Sequence, residues 1–406
     1  MAKVLFLGIP AYGHLNPTLG IVSELIKRGE EVVYFCNKEF KEKIENTGAV
    51  FRSYGEFGEK ISILAKSKKP DSEAANREFL ENIFETFIAP CEGTIESILE
   101  QIKDINFDYI GYSSVFPYGS IIAKILKIPS FSSFAIFATK EEMASARKDG
   151  QSRENSSNNH MLYKYKEIAD RISGKYDIDM PESIVNLLFN RGDINLAYTS
   201  KDFVSNAEAY DETFKFIGPP IYDRKEDVSD FPYKEIEGKK VIYISLGTVY
   251  NNVDLNIYKI FFEAFKDLDV VVAMTAYNID LSDFDIPKNF IIKNYISQGE
   301  ILKYAKAAIT HAGMNTTNDL LFNKVPFVAI PLGADQPYMA SRTESLGASI
   351  TLEKDKLTPE ILRESINKVL TEPKYIENIK RIDESFRECG GYKRAVDEIL
   401  RLQESR

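Results

Sequence analysis

A chain of 406 residues, 44% hydrophobic and 28% charged, is long enough for two domains and too apolar to be intrinsically disordered. Its net charge of −10, with no basic tract, argues against nucleic acid as the main partner, because phosphate neutralisation needs clustered Lys and Arg. Cys36, Cys91 and Cys389 are scattered without CxxC spacing, which suits a reducing compartment and gives no metal or disulfide signal.

The chain opens on "KVLFLGI", a short apolar run broken by Gly8 and Pro10 that reads as a first strand and not as a signal peptide. No apolar run reaches the length of a membrane span, so a soluble, cytoplasmic protein is expected. "PTLGIVSELIKRG" reads as a helix ending at Gly29 and "EEVVYFCN" as a second strand. "DYIGYSS", "PYGSIIAKILKI" and "PSFSSFA" repeat the strand–helix–strand unit, and "INLAYTS" and "FKFIGPP" read as the last strands of this half. Residues 56–105 and 138–190 are richer in charge and weaker in strand signal, as helices and surface loops around a cleft would be. A polar, turn-rich stretch follows, and then the pattern restarts with "VIYISLG", "DVVVAMTA", "FIIKNYI", "AAITHAG", "PFVAIPLG" and "ASITL". "TPEILRESINKVL" and "YKRAVDEILRLQES" read as amphipathic helices. Alternation of this kind predicts parallel sheets with helices on both faces. The expected organisation is an N-terminal Rossmann-like domain over 1–218, a linker over 219–240 and a C-terminal Rossmann-like domain over 241–406, with the last helix packing back on the first domain.

The loop after the first strand, "GIPAYGHLNP", nearly matches a phosphate loop, but His14 and Leu15 stand where Lys and Ser/Thr belong. It also lacks the GxGxxG of dinucleotide binders. What remains is a histidine at the carboxyl end of a first parallel strand, either capping a turn or acting as a general base. "SLGT" ends the first strand of the second half, where Ser245, Gly247 and Thr248 form a plain turn or bond a phosphate. In "AAITHAGMNTTNDLLF" a buried strand runs into a helix through His311, Gly313 and Asn315. The first amides of a helix have no intrahelical partner and the dipole adds positive potential, so this turn is an ordinary cap or a phosphate site. "GADQPYMAS" places Asp335 and Gln336 at another carboxyl strand end, as a helix N-cap or as partners for sugar hydroxyls. The DxD triplets at 177–179, 267–269 and 283–285 lie in loops or before a strand, and no metal is assigned to them.

With these motifs gathered, the chain resembles nucleotide-sugar glycosyltransferases of the GT-B architecture, and is most similar to bacterial macrolide and flavonoid glycosyltransferases of the UDP-glycosyltransferase type. "NYISQGEILKYAKAAITHAGMNTTNDLLFNKVPFVAIPLGADQ" matches the family's donor signature, and "GHLNP" its acceptor-side motif. The resemblance implies an α/β fold of two Rossmann-like domains facing across a cleft. It implies an inverting, metal-independent transfer of a hexose from a UDP-sugar to a hydroxyl of a small acceptor, with no cofactor beyond the sugar nucleotide. It puts Tyr295 against the base in place of the usual Trp, Gln298 near the uridine and Asp319 on the ribose. His311, Gly313, Asn315 and Thr316 meet the diphosphate, Asp335 and Gln336 the hexose, and His14 is the base.

One position departs from the family. Counted forward without a gap from Asp108, the place of the Asp that orients the catalytic His falls on Ser113. Asp108 lies five strand residues away, roughly 16 Å. Ser113 is therefore expected beside His14, as a weaker partner for an imidazolium. Phe116, Phe134 and Phe137 are candidate walls of the acceptor pocket, or core. A second reading, a GT-B protein that binds nucleotide sugar without transferring it, stands beside the enzyme.

Overall fold

The computed structural model describes residues 1–66, 81–135, 158–187, 189–221, 230–247, 254–333 and 335–404. Thr248 and Phe137 lie outside them. Two all-parallel sheets form the frame. The first has the order β3-β2-β1-β4-β5-β6-β7, from Lys3–Leu7 (β1), Glu31–Cys36 (β2), Val50–Ser53 (β3), Tyr109–Ser113 (β4), Ser130–Phe134 (β5), Ile194–Ala197 (β6) and Phe214–Phe216 (β7). The second has the order β10-β9-β8-β11-β12-β13, from Val241–Ser245 (β8), Val271–Thr275 (β9), Phe290–Lys293 (β10), Ala305–Thr310 (β11), Phe327–Ala329 (β12) and Ser349–Thr351 (β13). The central strands β1, β4, β5 and β8 are buried along nearly their whole length, which is why they read as continuous apolar runs. β3 alternates between exposed and half-buried residues at a sheet edge, so its sequence carries no strand signal.

Each sheet reverses strand order at one place. In the first sheet β1 lies between β2 and β4, and in the second β8 lies between β9 and β11. Open α/β sheets bind ligands at the carboxyl ends of strands flanking such a switch point. The β1–β4 register pairs Leu7 with Tyr112, and the β8–β11 register pairs Ser245 with Thr310. The segments that follow these residues carry His14, Ser113, Gly247 and His311.

The first helix spans Tyr12–Lys27, so it starts five residues before Pro17 and holds that proline inside. The last helix, Gly391–Glu404, packs on this first helix. The Tyr392 ring lies against Gly20, and the Arg28 guanidinium reaches Asp397 at 2.5 Å. Phe231 and Ile236, in the stretch before β8, are buried. One apolar cluster consequently runs from β1 and β2 through Val396 and Ile399 to β8 and β11. Among the described residues no helix is long and apolar enough to cross a membrane.

Candidate functional site

His14 sits in the first turn of the Tyr12–Lys27 helix. The ring is half-buried, with Nδ1 fully enclosed and without a hydrogen-bond partner among the described residues. Burial lowers its pKa to about 4.

Ser113 ends β4 and is buried, yet among the described residues its Oγ has no hydrogen-bond partner, and neither has that of Ser114. The expected hydrogen bond from Ser113 to His14 is not formed: among the described residues neither the serine oxygen nor Nδ1 has a partner. Asp108 is at the other end of the sheet, where its carboxylate accepts from the Lys3 amide at 2.7 Å.

The second histidine is built differently. His311 follows β11, and its imidazole is flanked by two glycines. A Cβ on Gly313 would lie 2.5 Å from His311 Nε2, and one on Gly247 would lie 2.7 Å from it. Gly247 also has φ +84, a left-handed backbone. The other left-handed residue of this turn is Ala312, φ 62, whereas Gly313 has an extended φ of −63. Gly313 is thus required for space and not for its backbone conformation, a distinction no sequence pattern carries. Burial lowers the His311 pKa to about 4, the Ser245 carbonyl working in the opposite direction. An imidazole of that pKa is neutral at pH 7.

Gly313 is the N-cap of the Met314–Phe322 helix, and no side chain caps it. Its first amides therefore keep their potential for an anion. Thr316, Gln298 and Asp319 form one hydrogen-bonded chain. Thr316 Oγ1 donates to Gln298 Oε1 at 3.2 Å, and Gln298 Nε2 donates to Asp319 Oδ2 at 2.5 Å. Asp319 is buried while Tyr295 is 44% exposed. Asp335 holds the N-cap position of the Gln336–Ser345 helix, but its carboxylate makes no capping bond. Gln336 is buried, and its Oε1 accepts from the amides of Leu332 and Gly333 at 2.7 and 2.9 Å. Ser245 lies buried at the end of β8.

The two turns meet. Pro17 has no N–H, so it cannot donate to the Gly13 carbonyl four residues before it. That carbonyl instead accepts from Asn315 Nδ2 at 3.5 Å. A proline inside a helix thus leaves an acceptor on the His14 turn facing the His311 turn.

Of the aromatic candidates, Phe116 and Phe134 take the core alternative. Phe116 is fully buried, stacked on Tyr54 at 5.2 Å and edge-on to Tyr118 at 5.5 Å. Phe134 is 2% exposed and packs edge-on to Phe214 at 5.2 Å. Both are core residues with no free face for an acceptor.

Comparison with known proteins points one way. Residues 262–388 match the family model of the erythromycin biosynthesis protein CIII-like C-terminal domain. The chain is 34% identical to a Bacillus subtilis (strain 168) protein named uncharacterized UDP-glucosyltransferase YojK, over 98% of this chain and 97% of that protein. It is 30% identical to the NDP-glycosyltransferase YjiC of Bacillus licheniformis, over 96% and 95% of the two chains. The glycotransferase of kitacinnamycin superposes with a TM-score of 0.80 at 22% identity, covering 99% of each chain. The calicheamicin glycosyltransferase CalG4 superposes with a TM-score of 0.78 at 23% identity, covering 99% of this chain and 98% of that one. These solved structures share the two-sheet fold, and the relatives share nearly the whole length. The chain belongs to the GT-B glycosyltransferases, and it is a glycosyltransferase enzyme.

Proposed function

We propose that the protein transfers a hexose from a UDP-sugar to a hydroxyl of a small acceptor, with inversion at the anomeric carbon. The observation that carries this is the placement of His14 and His311 after strands at the two switch points, with their turns joined by the Asn315–Gly13 contact. The names of the relatives add the nucleotide: a UDP-glucosyltransferase and an NDP-glycosyltransferase.

In this reading the N-terminus of the Met314–Phe322 helix and the imidazole of His311 hold the diphosphate. The leaving group is stabilised by fixed N–H dipoles, so the reaction asks for no metal ion. Tyr295 faces the base, the Thr316–Gln298–Asp319 chain presents Asp319 to the ribose, and Asp335 and Gln336 hold the hexose hydroxyls. His14 Nε2 takes the acceptor proton as the acceptor oxygen bonds to the anomeric carbon from the face opposite the diphosphate. The bond from that carbon to the phosphate oxygen breaks, and UDP leaves with the electron pair. General-base help of this kind is worth about 10²–10⁴-fold. A hydroxylated sugar is favoured over a deoxysugar, because a missing hydroxyl leaves buried polar groups unpaired.

Incubation with UDP-glucose and a panel of phenols tests the reading. Acceptor-dependent UDP release, a β-glycoside product and full activity after chelation are expected. Donor binding without UDP release for any acceptor favours a protein that binds nucleotide sugar but does not transfer it.

A further inference from the structure

The segment after β6 enters the C-terminal half as a knob between two helices. The amides of Phe203 and Val204 both donate to the Ser200 carbonyl, at 3.2 and 3.3 Å, forming one helical turn. The carbonyls at the end of such a turn have no amide of a next turn to accept from. Arg342, on the Gln336–Ser345 helix, serves three of them. Its Nε donates to Phe203 O at 2.5 Å, and a terminal nitrogen donates to Asp202 O at 2.9 Å and Val204 O at 3.3 Å. Four residues earlier on the same helix face, the Tyr338 hydroxyl accepts from the Ser205 amide at 3.2 Å and pairs with Ser205 Oγ at 3.1 Å. On the other side of the knob, the Phe203 ring lies 5.6 Å from Phe386, and Ser200 Oγ lies 2.9 Å from Ser385 Oγ.

The helix that carries this clamp is the one that starts at Asp335 and Gln336. Asp335 and Arg342 are two turns apart, roughly 10 Å along the axis. A planar guanidinium spread over three carbonyls fixes direction as well as distance. We propose that Arg342, supported by Tyr338, is a positioning residue for glycosyl transfer: it clamps the helix that bears the sugar-holding pair to the acceptor-side half and so sets the anomeric carbon against His14. This rests on the reading of Asp335 and Gln336 given under Proposed function.

Arg342→Ala, Arg342→Lys and Tyr338→Phe are compared with wild type using UDP-glucose and a phenol. The proposed nucleotide contacts all belong to the C-terminal half, so UDP affinity by calorimetry stays close to wild type. Transfer kcat falls about 10- to 100-fold in Arg342→Ala, the range a misplacement near 1 Å produces. Acceptor-independent hydrolysis of UDP-glucose falls far less, since water needs no alignment by the N-terminal half. Arg342→Lys recovers part of the loss, keeping the charge but not the fork. An unchanged transfer kcat overturns the proposal, and so does a parallel loss of transfer, hydrolysis and UDP binding. If Arg342→Ala does not fold, Tyr338→Phe, which removes one oxygen, carries the same test with a smaller loss. Spin labels on the two halves give an independent reading: the distance distribution broadens when the clamp is cut. If the wild type releases no UDP from UDP-glucose with any acceptor, the proposed function fails, and an unchanged label distribution is then the result that overturns the clamp.

Discussion

His14 and His311 both have pKa values near 4 for the same reason, burial, but the consequences differ. For His14 a low pKa keeps the free base available at every pH above about 5, while making it a weak proton acceptor. The kcat/KM profile should therefore be flat from pH 6 to 8, with its acid limb near 4 and not near 6.5. An acid limb at 6.5 would mean that an anion raises the pKa of His14 in the working enzyme. A weak base also favours acceptors that ionise easily, so phenols should outrun aliphatic alcohols. His14→Ala should abolish transfer to alcohols and leave some transfer to acidic phenols. Equal rates of wild type and His14→Ala on all acceptors would remove His14 from the mechanism. At His311 the glycines on either side leave the ring no room to move. Gly313→Ala is compatible with its backbone φ of −63, so its effect is steric alone. UDP affinity should fall by about tenfold, roughly the worth of one charge-assisted hydrogen bond, and the displaced ring should lower stability by about 1–3 kcal/mol, the usual cost of overpacking. A titration of UDP into this variant by calorimetry decides the matter.

At the scale of the element, the Met314–Phe322 helix is held at both ends. Its N-terminus faces the proposed donor. Past its C-terminus Lys324, with a left-handed φ of 58, places Nζ 2.9 Å from the buried carboxylate of Asp383. Arg387 joins the same carboxylate at 2.9 Å and lays its guanidinium over the Phe322 ring at 4.1 Å. Both cations are about half exposed, so they rehydrate if the acid is lost, and the cost stays below that of a fully buried pair. Asp383→Asn should lower unfolding stability by about 1.5–3 kcal/mol, the range for hydrogen bonds to charged groups. Urea denaturation measures it, and a change under 0.5 kcal/mol, about what a neutral surface substitution gives, would show that the pair is not needed.

For the whole molecule, burial of two neutral histidines links stability to pH. Each has its pKa lowered from 6.5 to about 4 on folding. Between these values the unfolded chain takes up protons that the folded chain does not, so stability rises with pH there. It is complete above 6.5 and is lost progressively as the pH falls from 6.5 to 4. The urea midpoint should therefore drop between pH 7.5 and pH 5, and His14→Gln combined with His311→Gln should flatten that dependence. A midpoint independent of pH across this range in the wild type would contradict the burial described here. The same two rings tie acid lability to the cleft, because both enclosed nitrogens lie at the switch points and not in the distal core.

Periodicity alone fixed the two parallel sheets, because strands buried on both faces must be continuous apolar runs, as in "VIYISLG" and "KVLFLGI". It also fixed the position of His14 and His311 after particular strands, since a polar residue ending such a run has to lie at a strand end. The start of the first helix was not legible: Pro17 looks like an N1 residue, and only the tertiary contact of Gly13 with Asn315 explains a proline inside. Phe116 and Phe134 could not be sorted from pocket walls in one dimension, because a core aromatic and a binding aromatic have the same sequence signature. The steric need for glycine at 313 depends on where the His311 ring turns, and the role of Arg342 on carbonyls 138 to 140 residues away. Local pattern determines which residues share an element and which end of a strand they occupy. Which side chains touch, and which are enclosed, depends on contacts distant in sequence, and those only the folded chain decides.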